Sequence, residues 1–196
     1  MAEGIIRQGY GHTSMNRRSL IRGLLTLPLT LALPQAQAAR RSSADIEKMR
    51  QGWTALLPGD FSPPEASDKV ELTETEWRAR LTPAAFEVLR DEGTERAFSS
   101  PLDDEKRDGI FLCAGCDLPL FSSEMKYDSG TGWPSFFTHI PGAMGTKTDY
   151  KLIWPRTEYH CARCGGHQGH VFTDGPAPTN ERWCNNGVAL RFLPSA

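Results

Sequence analysis

Five cysteines, Cys113, Cys116, Cys161, Cys164 and Cys184, carry the chemistry this sequence is best equipped to perform. Four of them form two Cys-x-x-Cys pairs separated by 44 residues. Two intervening residues let both thiolates of a pair face one centre, and two such turns complete a tetrahedral four-sulfur site. Zn2+ suits it, having no redox chemistry and metal–sulfur bonds of about 2.3 Å. A closed site of this kind leaves no position for water or substrate. One structural zinc per chain is therefore expected, tying the loop at Cys113 to the loop at Cys161. Cys-x-x-Cys is also a redox motif, and in an oxidising compartment two small disulfides are the competing reading.

Cys184 has no partner. A lone thiol is a reactive group, an intermolecular bridge or an inert buried apolar group. Its neighbours, Arg182-Trp183-Cys184-Asn185-Asn186, favour reactivity. If the segment is extended, Arg182, Cys184 and Asn186 share one face. The guanidinium would favour the thiolate, which is the nucleophilic form. The Asn186 amide would donate to that sulfur or to a substrate oxygen. Cys184 is thus the expected nucleophile.

The elements that must position these groups are short. Residues 39–70, punctuated by Pro58, Gly59, Pro63 and Pro64, read as a linker with room for one helical turn, with the functional domain over 71–196. A helix is expected over Thr75–Leu81, and a second from Pro83 with Thr82 as its N-cap and Phe86, Val88 and Leu89 on its apolar face. From Gly109 helical periodicity disappears. Ile110–Leu112, Lys151–Trp154, His170–Phe172 and Val188–Phe192 read as short strands, the last by alternation. Eighteen glycines and fourteen prolines among 196 residues agree with a turn-rich β domain.

Charge narrows the function. The chain carries a net charge of −2, and residues 1–38 hold four arginines against one acid. Without them 18 basic and 23 acidic residues remain, a net charge of −5, which argues against nucleic acid as a partner. In the first 38 residues, Arg17-Arg18 precedes an apolar run from Leu24 to Leu33 and a small-x-small end at Ala36-Gln37-Ala38. That order is a removable secretory signal and resembles the twin-arginine type, so a periplasmic or exported location is expected. Met15 would make a better start for such a signal than Met1. The apolar run, interrupted by Pro28 and Pro34, is too short for a stable membrane anchor.

Residues 94–193 resemble the type B methionine sulfoxide reductases. The match runs through Gly93-Thr94-Glu95-Arg96-Ala97-Phe98, Cys113-Ala114-Gly115-Cys116, Asp128-Ser129-Gly130-Thr131-Gly132-Trp133-Pro134-Ser135-Phe136, Cys161-Ala162-Arg163-Cys164-Gly165, His167 with Gly169-His170-Val171-Phe172, Asp174-Gly175-Pro176 and Arg182-Trp183-Cys184. The resemblance implies two antiparallel sheets with the zinc at one edge and short helices before them. It implies reduction of the R epimer of methionine sulfoxide, free or in oxidised proteins, by attack of Cys184 on the sulfoxide sulfur. By the same match His170 and His167 supply a proton to the departing oxygen, Asp174 orients or charges a histidine, and Trp133 packs on the substrate methyl. Arg182 and Asn186 would stabilise developing charge. Taken alone, His170 would pass for a hydrogen-bonded strand histidine and Trp133 for core.

Two departures from the family pattern stand out. Thr131 occupies the position where many members carry a second, resolving cysteine. With four cysteines on the metal, none remains to pair with Cys184, so its sulfenic acid would be reduced directly by a thioredoxin-like or other thiol donor. Asn185, Gly187 and Gln168 also replace the usual residues, which would alter pocket polarity. A monomer is expected. The competing functions are a non-enzymatic zinc module of the same fold, a zinc-ribbon nucleic-acid binder and a disulfide-exchange enzyme. The joint presence of Cys184, His167, His170 and Trp133 disfavours the first, acidic charge the second, and the isolation of Cys184 the third.

Overall fold

The computed structural model describes residues 41–151 and 154–195. The expected signal, residues 1–38, lies outside them. No described helix is long and apolar enough to cross a membrane.

Ser42 starts α1 (Ser43–Gly52) with a capping box: its hydroxyl accepts from the Asp45 amide and the Asp45 carboxylate accepts from the Ser42 amide. A single 3-10 turn, Trp53–Leu56, follows. Ile46 is buried, and Met49 and Trp53 pack against the core. The helix is longer than the single turn expected within 39–70. Only three apolar residues, at 46, 49 and 53, mark the inner face, too sparse a stripe to stand out among polar neighbours. The chain then straps itself over the second cysteine pair. The Val70 amide donates to the Arg163 carbonyl at 3.1 Å, and Lys69 Nζ donates to the Ala162 carbonyl at 2.6 Å.

The next two helices form where the sequence predicts. Thr73 and Glu76 make a capping box on α2 (Glu74–Arg80), which buries Trp77. Thr82 caps α3 (Pro83–Asp91) through the Ala85 amide, with Pro83 in the first turn, where its missing N–H costs nothing. Ala85, Phe86, Val88 and Leu89 form its buried stripe. Both helices meet the metal loops. Leu89 packs so closely on Gly166 that a Cβ there would lie 2.9 Å from its methyl, and Arg90 donates to the Cys164 carbonyl at 2.9 Å.

Among the described residues nine strands follow: β1 (Gly109–Cys113), β2 (Pro119–Ser122), β3 (Lys126–Tyr127), β4 (Ser135–Phe136), β5 (Met144–Asp149), β6 (Arg156–Cys161), β7 (His167–Phe172), β8 (Arg182–Asn185) and β9 (Leu190–Pro194). They make two antiparallel sheets, one of three strands in the order β2-β1-β9 and one of six in the order β3-β4-β8-β7-β6-β5. Aromatic side chains fill the space between them. Phe121 of the small sheet stacks on Phe136 of the large one with ring centroids 3.9 Å apart, and Phe111 meets Phe136 edge-on at 5.0 Å. Such pairs add to the area they bury, by about 0.5–1.5 kcal/mol each.

Two strand expectations need correction. Lys151 and Trp154 lie in the connection between β5 and β6, and the two residues between them are outside the described ones. At the C-terminus, Val188 and Ala189 belong to a 3-10 turn, Gly187–Ala189, and the strand begins only at Leu190. The alternation was misleading because Ala189, set on the outward face by that pattern, is fully buried in the turn.

Candidate functional site

The four paired cysteines converge. Their sulfurs lie within 4.8 Å of one another, and all four residues are buried. Cys113 Sγ is 3.7 Å from Cys164 Sγ, and Cys116 Sγ is 3.5 Å from Cys161 Sγ. A tetrahedron with bonds of about 2.3 Å has edges of about 3.8 Å, so these residues fit a four-thiolate metal ion. None of the five cysteines is in a disulfide. The cluster joins β1 of the small sheet to β6 of the large one, as a structural tie would.

Cys184 stands apart from that cluster. It sits on β8 between β4 and β7, opposite Ser135 on one side and His170 on the other. A Cβ at Gly169 would fall 1.9 Å from the Cys184 carbonyl oxygen, so only glycine lets β7 approach here. Cys184 lines a pocket of about 230 Å³ together with Thr131, Trp133, His170, Phe172, Arg182 and Asn186. Arg182, Cys184 and Asn186 do face one space, as alternation predicts.

The electrostatics differ from the expectation. Burial pushes the Cys184 thiol up, and the opposing pull of the Arg182 guanidinium and the nearby Thr131 hydroxyl only partly offsets it. The free site therefore favours the thiol, and its proton would have to be taken up were this sulfur to attack a substrate. His170 can take it. Burial holds its imidazole below the usual range, so it is neutral near pH 7. Its Nε2–H donates to Asp149 Oδ2 at 2.8 Å, which leaves Nδ1 as the basic nitrogen. Asp149 also accepts from Arg156 at 2.6 Å and from the Lys151 amide at 2.8 Å, and these bonds hold its carboxyl well below the ordinary range.

Three roles inferred from the resemblance need revision. Asp174 does not meet a histidine. It grips Arg182 with both oxygens, Nε at 2.8 Å and Nη2 at 2.9 Å, while the guanidinium lies over the Phe172 ring at 4.2 Å. His167 is buried outside the pocket lining, 5.5 Å from the His170 ring, with Nδ1–H donating to Glu158 Oε1 at 2.9 Å. Its Nε2 is buried without a partner. The Asn186 amide is committed to the backbone: Nδ2 donates to the Gln168 carbonyl at 3.0 Å, and Oδ1 accepts from the Glu95 amide at 3.0 Å. It shapes the pocket rather than reaching into it. Gln168, expected to alter the pocket, points away from it to Cys113.

Several functional groups escaped sequence reasoning. Asp149 and Glu158 orient the two histidines. Glu95 gathers the site: its carboxylate accepts from the Gly187 and Val188 amides, and its carbonyl accepts from Trp133 Nε1–H at 3.2 Å. A signal for Glu158 was present. Arg156, Glu158 and His160 alternate with Thr157, Tyr159 and Cys161, and an acid alternating with an aromatic in a strand suggests a paired buried carboxylate.

Residues 81–194 match the SelR domain family. The chain is similar to the chloroplastic peptide methionine sulfoxide reductase B1 of Arabidopsis thaliana, with 42% identity over 154 residues covering 78% of this chain and 76% of that protein. It is 47% identical over 129 residues to peptide methionine sulfoxide reductase MsrB of Agrobacterium fabrum, covering 65% of this chain and 96% of that one. The MsrB of Pseudomonas entomophila is 50% identical over 129 residues, covering 64% and 97% respectively.

Proposed function

The chain belongs to the SelR-domain, MsrB family of peptide methionine sulfoxide reductases and is an oxidoreductase, and from this premise we propose that it reduces the R epimer of methionine sulfoxide through Cys184. One observation supports the assignment of the nucleophile above the others. Cys184 shares a pocket with Trp133, His170 and Arg182, while the other four cysteines are gathered at a separate metal centre.

The substrate's methyl group packs on the Trp133 ring and its sulfur faces Cys184. The thiol proton passes to His170 Nδ1 as the Cys184 sulfur attacks the sulfoxide sulfur. The same imidazolium returns a proton to the sulfoxide oxygen, and the Arg182 guanidinium stabilises the charge that develops around it. The oxygen ends on the Cys184 sulfur. The sulfoxide gains two electrons and leaves as methionine, and the cysteine loses two and becomes a sulfenic acid. Two equivalents of thiol from an external donor then restore the thiol and release water and a disulfide. Zinc, held by Cys113, Cys116, Cys161 and Cys164, is structural in this scheme. The physiological task is repair of oxidised proteins, performed after export behind residues 1–38.

The test is an assay of the purified zinc-counted protein on separate R and S epimers with dithiothreitol, beside Cys184→Ser. Turnover of the R epimer alone, lost in the variant at unchanged zinc, is expected. A folded, zinc-bound protein inactive on both epimers would overturn the proposal in favour of a binding module. Export is tested separately by fractionating the native cells. Full-length protein in the cytoplasm would exclude it.

A further inference from the structure

Gln168 and Asn185 are both fully buried, although each carries an amide that needs partners. Their side chains form one line of hydrogen bonds. The Tyr159 hydroxyl donates to Asn185 Oδ1 at 2.7 Å, Asn185 Nδ2 donates to Gln168 Oε1 at 3.3 Å, and Gln168 Nε2 donates to Cys113 Sγ at 3.4 Å. Asn185 follows Cys184 directly in β8. The line therefore begins in the large sheet, passes the neighbour of the nucleophile and ends on a metal-binding sulfur of the small sheet.

The last link is the informative one. Among the described residues, the Cys113 sulfur is the acceptor for the buried Gln168 amide. A neutral thiol is a weak acceptor, whereas a metal-bound thiolate is negatively charged and a strong one. The direction of every other bond follows from this end. With Nε2 committed to sulfur, Oε1 is left to accept from Asn185, and Asn185 Oδ1 is left for Tyr159.

We propose that Gln168 is an outer ligand of the metal centre, donating to the Cys113 thiolate, and that Asn185 fixes its amide so that the metal centre and the nucleophile-bearing strand are held as one unit. Outer partners of this kind orient the ligand atom and draw off part of its charge. The two residues are a matched pair: replacing one strands the other's amide in the interior. The inference rests on the four-thiolate metal reading and not on the assignment of substrate.

The experiment follows zinc release from the full-length holoprotein to a chromophoric chelator, after a zinc count on the wild type. Gln168→Met is expected to release zinc about 10-fold faster, at the low end of what loss of an outer partner costs a metal site. Asn185→Leu is expected to accelerate release to a smaller degree. The double variant should release zinc no faster than Gln168→Met alone, since both act through one bond. Near-ultraviolet circular dichroism establishes that each variant is folded. Release at the wild-type rate in Gln168→Met, or effects that multiply in the double variant, overturns the proposal. So does a wild type without zinc, which removes the metal reading itself. If either variant fails to fold, cadmium-loaded wild type decides: scalar coupling between the Gln168 side-chain amide protons and the metal nucleus supports the bond, and its absence overturns it.

Discussion

His170 and Asp149 form a fixed pair, the imidazole Nε2–H donating to Oδ2 at 2.8 Å from the end of a different strand. The carboxylate decides which nitrogen carries the proton and therefore which one is free for the substrate. Arg156 and the Lys151 amide hold that carboxylate in turn. His170→Ala should lower kcat by about 10²–10⁴-fold, the range for a positioned acid–base group. Asp149→Asn keeps the shape but can present its amide N–H to Nε2 and favour the opposite tautomer. A fall in kcat of at least about 10-fold is expected, with little change in KM. Steady-state kinetics on the R epimer check both. A loss confined to KM would mean that Asp149 acts through substrate binding and not through His170.

Cys184 titrates above the ordinary thiol range because burial outweighs the neighbouring cation. Its alkylation by iodoacetamide in the zinc-loaded protein should therefore rise with pH through a midpoint above 9.0. The thiolate fraction is small at neutral pH and grows as pH increases, so the sign is a gain in rate toward alkaline pH. Arg182→Met removes the opposing pull and should move the midpoint further up. Asp174→Ala releases the guanidinium from its two-point grip, and the midpoint should become more variable with salt as Arg182 loses its fixed position. A midpoint below the ordinary thiol value in the wild type would reverse this ordering of burial and charge.

Glu95 links loop, tryptophan and nucleophile turn through one residue. Its carboxylate caps the Gly187 and Val188 amides, its N–H meets Asn186, and its carbonyl holds the Trp133 indole. Glu95→Ala orphans two amides and should cost about 3 kcal/mol, allowing about 1.5 kcal/mol net, the low end for a bond to a charged group, for each of the two. For a domain of this size that is a fall in Tm of about 6–12 °C. KM should rise more than kcat falls, since the tryptophan that packs on the substrate loses its anchor. Scanning calorimetry and kinetics on one preparation test it. An unchanged Tm would show the turn to be self-supporting.

The parts of this structure that were legible in the sequence are those with local signals. Thr82-Pro83 starts its helix, the two Cys-x-x-Cys turns converge, and the alternation of Arg182, Cys184 and Asn186 places all three against one pocket. The parts that were hidden depend on which strands become neighbours. Asp149 reaches His170 only because β6, and with it β5, packs beside β7, across a separation of 21 residues. Asp174 lies close enough in sequence to either His170 or Arg182, and nothing in the spacing says which it chooses. The guanidinium wins because its fork donates to both carboxylate oxygens at once. The full length of α1 was hidden because a short helix that docks through Ile46, Met49 and the following Trp53 has too few apolar positions to show a period.

Thr131 offers a test of how the oxidised enzyme is recycled. It lines the same pocket as Cys184, and it is the position at which the family pattern often has a second cysteine. In the wild type the other four cysteines are drawn into the metal cluster, so the sulfenic acid has no thiol nearby. One turnover without reductant should leave a Cys184 that reacts with dimedone, and no internal disulfide. Thr131→Cys should instead condense with the sulfenic acid, lose water and form a disulfide to Cys184. Dimedone labelling would then fall and two free thiols would disappear per turnover. Recycling by a dithiol donor should become faster relative to monothiols, because the donor now attacks a disulfide. Mass spectrometry of the peptides containing residues 131 and 184 reads both outcomes. An internal disulfide in the wild type would show that a metal-site cysteine is within reach after all and that the metal centre is not purely structural.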